Sequence, residues 1–305
     1  MRRRVLLGGA LGALAGCRGA AGGVRVMVPN PPGSGYDITA RVLARELGAE
    51  VFNLPGGGGV VGLRRLAYEH GNPDLLMLMG LGLIGAQRTA DVTLRGTAPV
   101  ARLVQEPAVM VVRRDSPYGS LDDLIEAWRA DPPAVPAGGG SSAGGPDHLV
   151  TMLVAEAAGI TPARVAYRRH DGGGDLLAAL LGREVAFAMS GPGEYAGQIA
   201  SGQLRALAVT SADPVPLLAV PTVRSAGLNV TFTNWRGLVA PPGLPAADLA
   251  DLRETIADLA GSAPWADACA RFGWSTAYQD GPAFAGFIAD ETARVTTLLS
   301  RLGLA

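Results

Sequence analysis

From about residue 24 to residue 302 the chain alternates short apolar runs with stretches of helical period. Apolar runs at 24–28, 51–54, 75–79, 109–112, 165–167, 185–189, 204–209 and 235–240 predict strands. The unbroken run at 75–79 is that of a strand buried on both faces. Between them, Ile38, Val42 and Leu47 place one buried face on a helix over 37–47. Further helices are predicted at 60–69, 120–129, 147–158, 175–181 and 194–200, and closing helices at 245–260, 265–272 and 282–302. Ser120 is the cap of the helix at 120–129, with Asp122 and Asp123 favourably placed in its first turn. Residues 132–146 read as a turn-rich stretch, and Pro214, Pro216 and Pro221 mark a loop. Strand–helix alternation of this kind predicts an α/β protein with parallel or mixed sheets covered by helices.

The N-terminus does not fit that pattern. Arg2, Arg3 and Arg4 precede an apolar run over 5–15, closed by Leu14-Ala15-Gly16-Cys17. A basic opening, a short apolar stretch and small residues before a cut are the parts of a secretory signal, and the run is too short to span a bilayer. Its ending resembles a lipobox, so residues 1–17 are expected to be a lipoprotein signal with Cys17 as the lipidated first residue of the mature chain. The arginines also fit a twin-arginine signal loosely, leaving the export route open. Cys269 then has no partner and reads as a small core residue. Net charge is −1, which calls for no nucleic acid. Every basic residue except the histidines is Arg, so a Walker P-loop, a Schiff-base lysine and Ser-x-x-Lys hydrolases are excluded.

Three glycine turns lead into predicted helices: Gly33-Ser34-Gly35-Tyr36-Asp37, the run 138–145, and Asp171-Gly172-Gly173-Gly174-Asp175. A helix start offers unpaired N–H groups and the positive end of the dipole, and glycine lets backbone approach a ligand. Three such turns in one chain point to an anion cleft. Asp37 is placed to cap the first helix and hold its loop, and Asp175 likewise. Arg168-Arg169-His170 either adds positive charge for a carboxylate or is a solvated strand end.

Two enzyme signatures occur. Gly57-Gly58-Gly59-Val60-Val61-Gly62 satisfies G-x-G-x-x-G, but a strand–turn–helix lies upstream of it and an exported protein has no nicotinamide cofactor at hand. Gly140-Ser141-Ser142-Ala143-Gly144 satisfies G-x-S-x-G, making a secreted hydrolase using Ser142 the rival reading. The histidines, His70, His148 and His170, lie far from the C-terminal position such a base takes. His148 reads instead as a hydrogen bonder at a helix start. Their scatter calls for no metal, and nothing calls for a cofactor.

Pro32-Gly33-Ser34-Gly35-Tyr36-Asp37-Ile38-Thr39-Ala40-Arg41 resembles the P-G-G-G-x-D-x-T-A-R of the extracytoplasmic receptors of tripartite tricarboxylate transporters, the Bug receptors. Residues 53–62, 138–148, 204–211, 220–222 and 234–242 follow in that family's order. The resemblance implies a two-lobed, periplasmic-binding-protein-like fold, each lobe a mixed sheet flanked by helices, with the ligand cleft between. The lobes would be 24–115 plus 231–305, and 116–230. It implies a non-enzymatic receptor that takes a small carboxylate, a tricarboxylate such as citrate first and a dicarboxylate next. The partners it implies are a large and a small integral membrane subunit, and the receptor would be a monomer held at the membrane by its lipid. Expected ligand-binding positions in the first lobe are Asn30, Gly33, Ser34, Gly35, Tyr36, Asp37 and Gly82. In the second they are Gly140, Ser141, Ser142, Ala143, Gly144, His148, Asp171, Gly172, Gly173 and Ser190. Ser34 departs from the family's glycine, and Arg168 and Arg169 leave open a preference for more highly charged ligands.

Overall fold

The computed structural model describes residues 23–304; the leader and Cys17 lie outside the described residues. In chain order the strands are β1 (Arg25–Val28), β2 (Glu50–Asn53), β3 (Leu75–Gly80), β4 (Ala98–Pro107), β5 (Val109–Arg113) and β6 (Ala137–Gly139). They continue as β7 (Tyr167–Arg169), β8 (Phe187–Ser190), β9 (Leu204–Val209), β10 (Thr233–Ala240) and β11 (Ser275–Asp280). One six-stranded sheet has the order β11-β4-β10-β3-β1-β2, and a five-stranded sheet has the order β7-β6-β8-β5-β9. Both are mixed: β1 runs parallel to β2 and β3 while β10 is antiparallel to β3 and β4, and β6 runs parallel to β7 and β8 while β5 is antiparallel to β8 and β9.

Helices α1 (Gly35–Leu47), α2 (Val60–Tyr68), α3 (Leu81–Ala86), α8 (Ala246–Ala260), α9 (Ala263–Phe272) and α10 (Gly281–Arg301) accompany the first sheet. Helices α4 (Leu121–Ala130), α5 (Pro146–Ala157), α6 (Gly173–Leu181) and α7 (Pro192–Ala200) accompany the second. Period-2 alternation explains the apolar runs. Leu75, Met77 and Met79 face one core layer, whereas Leu76 and Leu78 face the layer under α1, α8 and α9. Likewise Met110 and Val112 belong to one layer, and Val109 and Val111 to the one under α6 and α7. A strand covered on both faces has no polar positions to offer.

The chain passes between the sheets at Ala108 and returns over 210–232. Strand β5 therefore lies in the second sheet, whereas the sequence reading kept it with the first lobe. Thr210 fastens both passages: its Oγ1 accepts from the Ala108 N–H at 2.8 Å and donates to the Phe232 carbonyl at 2.9 Å. Four elements were not predicted. Strand β4 carries Pro, Arg, Gln and Glu, β11 is a polar edge, α3 contains two glycines, and β6 is Ala-Gly-Gly. The last is a strand because a Cβ at Gly138 would meet Leu176 and Val185, so close packing rather than propensity fixes it. Strand β7 starts at Tyr167, where 165–167 was expected, because residues 162–164 form a tight helical turn that holds the Val165 N–H.

Candidate functional site

The first glycine loop is built by reciprocal bonding at the start of α1. Ser34 is the cap, its Oγ accepting from the Asp37 N–H at 3.3 Å. Asp37 stands three residues further on and reaches back: its Oδ2 accepts from the Gly33 N–H at 2.9 Å and from Arg41 Nε at 2.8 Å. Its Oδ1 accepts from Asn53 Nδ2 at 2.9 Å, and that same nitrogen donates to the Asn30 carbonyl. The capping role expected of Asp37 thus belongs to Ser34, while Asp37 holds the loop from inside the helix. Burial by itself raises the Asp37 carboxyl, but the donors Arg41, Gly33 and Asn53 outweigh it and hold the group below its ordinary value.

The second-lobe loop before α5 uses the same device. Asp147 Oδ2 accepts from the Gly140 N–H at 2.7 Å, and Ser141 Oγ accepts from the Asp147 N–H at 3.1 Å. His148 Nδ1 accepts from the Gly144 N–H at 3.0 Å, and its ring lies against Tyr167 with centroids 4.5 Å apart. Burial lowers the His148 pKa, consistent with a neutral acceptor. The third loop closes onto this one: a Cβ at Gly140 would stand 2.8 Å from the Gly172 backbone.

Between the lobes these loops enclose a cavity of about 60 Å³. Its wall includes the first turns of α1, α5 and α7 and the cap of α6, helices of nine to thirteen residues. Four helix N-termini facing one small space favour negative charge there. Three buried polar atoms in the wall lack partners among the described residues: the Tyr36 hydroxyl, Asn234 Oδ1 and Arg236 Nε. The N–H groups of Gly82 and Leu83 approach that hydroxyl without closing a hydrogen bond. Buried polar groups are ordinarily satisfied, so such atoms mark where a polar partner belongs. Close contacts join the lobes around the cavity. A Cβ at Gly58, where φ is +67°, would lie 2.8 Å from Ser142 Oγ, and one at Gly85 would lie 2.4 Å from the Gly144 carbonyl. Arg301 of α10 pairs with Glu156 of α5 at 2.8 Å.

Charge in the wall is uneven. Arg236, on β10 and 2 % exposed, donates to Thr39 Oγ1 at 3.1 Å and forms a buried ion pair with Glu106. Burial pushes the Glu106 carboxyl up, and Arg236 opposes this. Asp147 and Glu194 have no such cation bonded to them among the described residues. Burial, then the nearby Glu106 charge, pushes Asp147 up to about 7, against the Gly140 N–H and Ser190. Burial, then Asp147 and Glu106, pushes Glu194 up to about 8, against the Arg236 charge and Ser190.

Of the residues expected from sequence, Asn30, Ser34, Gly35, Tyr36, Gly82, Gly140, Ser141, Ser142 and Gly172 line the cavity. Gly33, Asp37, Ala143, Gly144, His148, Gly173 and Ser190 stand behind it and shape or support the loops, and Asp171 is exposed. Arg168 and Arg169 are exposed on the edge strand β7, away from the wall, so the idea that they select highly charged ligands finds no geometry. The nucleophile reading of Ser142 fares no better, since His148 turns its Nδ1 to the Gly144 amide. Gly58, Pro146, Asp147, Glu194, Asn234 and Arg236 complete the wall without having been anticipated as ligand contacts. For Asp147 and Glu194 a signal existed, an acidic residue in the first turn of a helix following a strand. For Arg236 there was none, because the contact joins residues 130 positions apart.

Two sheet-and-helix lobes joined by two passages, with a small polar cavity between helix N-termini, define a two-lobed solute-binding protein. Residues 36–304 match the family model described as the tripartite tricarboxylate transporter family receptor, and the chain belongs to that family. Protein BugT of Bordetella pertussis is 30% identical over 294 residues, covering 92% of this chain and 89% of BugT. The fold is shared with R. palustris Rpa4515 in complex with adipate, at a TM-score of 0.85 and 22% identity, covering 93% of this chain and 98% of that one. It is also shared with malate-bound MatC from Rhodopseudomonas palustris, at a TM-score of 0.79 and 21% identity, covering 92% and 99%.

Proposed function

We propose that this chain captures a small carboxylate outside the cytoplasmic membrane and presents it, lobes closed, to the membrane subunits of a tripartite transporter. The carrying observation is the cavity between the lobes, where four helix N-termini converge with the unpartnered Tyr36 hydroxyl and Arg236 Nε. Adipate and malate in proteins of the same fold support a carboxylate in this chain too. Movement would turn on Ala108 and the segment 210–232, separating Gly58 from Ser142 and Gly85 from Gly144. The lobes on this reading are 23–107 plus 233–304, and 108–232. A monomer anchored through a lipid on Cys17 completes the proposal.

The sequence reading ranks tricarboxylates first. Asp147 and Glu194 in the wall oppose a threefold anion, so acids with fewer charges are favoured over citrate. The test is a thermal-shift panel on the purified protein with mono-, di- and tricarboxylates. A ligand at 100 times its Kd stabilises the fold by about 2.7 kcal/mol, a readily measured shift. Saturable stabilisation by one or two acids supports the proposal, and no shift across the panel removes it.

A further inference from the structure

Asp147 and Glu194 are more acidic capacity than the fold uses. Asp147, 8 % exposed, devotes Oδ2 to the Gly140 N–H and lies 3.5 Å from Ser190 Oγ, while Oδ1 takes no hydrogen bond among the described residues. Glu194 lines the same cavity, with Gly35 and Gly173 close about its carboxyl. A Cβ at Gly173 would come within 2.0 Å of Glu194 Oε2, and one at Gly35 within 2.8 Å of Oε1. The cation in this wall, Arg236, pairs with Glu106, and its attraction for Asp147 and Glu194 is outweighed by their burial. An acid-only ligand would therefore meet two carboxyls with nothing to offer them but repulsion or a shared proton. Among the described residues no group of three or more acidic, His or Cys side chains is arranged to hold a metal ion. The unpartnered Tyr36 hydroxyl, also 8 % exposed and in the same wall, shows that a polar ligand is independently called for.

We infer that the cavity takes an amino-bearing carboxylic acid, its carboxylate on the helix N-termini and its ammonium group between Asp147 and Glu194. This rests on the carboxylate-receptor reading and narrows its substrate class. A zwitterion matches both halves of the wall: the N–H groups and helix dipoles on one side and the two carboxyls on the other. The pH response follows. An ammonium group binds the ionised carboxyls, so affinity for an amino acid rises as pH passes through the range where Asp147 and Glu194 lose their protons. A plain acid binds the protonated carboxyls, so its affinity falls over the same range. The other groups facing the pair are Glu106 and Arg236 from the first sheet, Tyr36 from α1, Tyr167 from β7 beside Asp147, and Tyr195 beside Glu194.

The experiment is calorimetry on the purified protein with matched pairs: L-aspartate and succinate, L-glutamate and glutarate, L-alanine and propionate, L-leucine and 4-methylpentanoate. At pH 8 the amino member of at least one pair should bind tenfold or more tighter than its partner, and tighter than at pH 6. Glu194→Gln should cut that preference to under threefold while the plain acid binds as well or better. If that variant does not fold, Asp147→Asn and the wild-type pH series carry the same test. Equal or tighter binding by the plain acid in every pair that binds would overturn the ammonium subsite and leave the carboxylate receptor standing. No binding by any member would overturn both.

Discussion

In the first lobe the acidic side chains nearest the cleft have opposite charges bonded to them: Glu106 holds Arg236 and Asp37 holds Arg41. In the second, Asp147 and Glu194 have no cation bonded to them among the described residues; amides, hydroxyls and each other surround them, and burial outweighs the attraction of the nearby Arg236. The loops of the two lobes are made the same way, with an acidic residue near a helix start reaching back to a glycine N–H, so the difference does not arise from the fold's construction. It arises from what is bonded beyond the loop. Charge that is balanced inside the protein serves stability, and charge left unbalanced beside a cavity is available to a ligand.

Breaking the balanced side should cost most. Arg236→Met leaves Glu106 buried without its partner, with an expected loss of about 3–5 kcal/mol in denaturant unfolding. Glu194→Gln should be neutral or stabilising at pH 8, and a loss comparable to that of Arg236→Met would erase the contrast between the lobes.

The next effect is on pH dependence. Unfolded, Asp147 and Glu194 release protons near 3.8 and 4.5; folded, they hold them until about 7 and 8. The folded state thus binds more protons through that window, and stability falls as pH rises. A loss of roughly 2 kcal/mol or more between pH 5 and 8 is expected for the free protein, and Glu194→Gln should flatten the slope. Asp37 has the opposite sign. Its lowered carboxyl adds stability above the ordinary Asp range that is lost only as pH falls below it, so Asp37→Asn should leave the pH 5–8 slope unchanged.

Between the lobes, Thr210→Val removes the hydroxyl that fastens Ala108 to Phe232 and leaves a buried N–H unsatisfied. The cost should be about 1–3 kcal/mol, read as a lower Tm. The smallest effect belongs to Arg168→Ala. Exposed on β7, it should change stability by no more than about 0.5 kcal/mol and ligand affinity by less than twofold.

How much of this was legible in the sequence follows from the range of the interactions. Runs such as 75–79 announce their strands because burial on both faces imposes an apolar residue at every position. The glycine loops were legible because a helix start, its cap and its glycines are neighbours in the chain. Strand β4 was not, since its Arg102 and Gln105 bond each other and look like loop polarity when read in order. Ser34 takes the capping role expected of Asp37 because both residue types cap helices, and only the three-dimensional geometry of the loop decides between them. Arg236 and Glu106 were invisible as a pair for a different reason: they meet only when β4 and β10 lie side by side.

The most direct measurement is a crystal structure of the protein with the acid that stabilises it most. The predicted result is that acid between the lobes, its carboxylate at hydrogen-bonding distance from N–H groups at the start of α1, α5 or α6 and any ammonium group against Asp147 and Glu194. An acid bound elsewhere on the surface, with the cavity between the glycine loops left to solvent, would contradict the assignment of this cleft as the binding site.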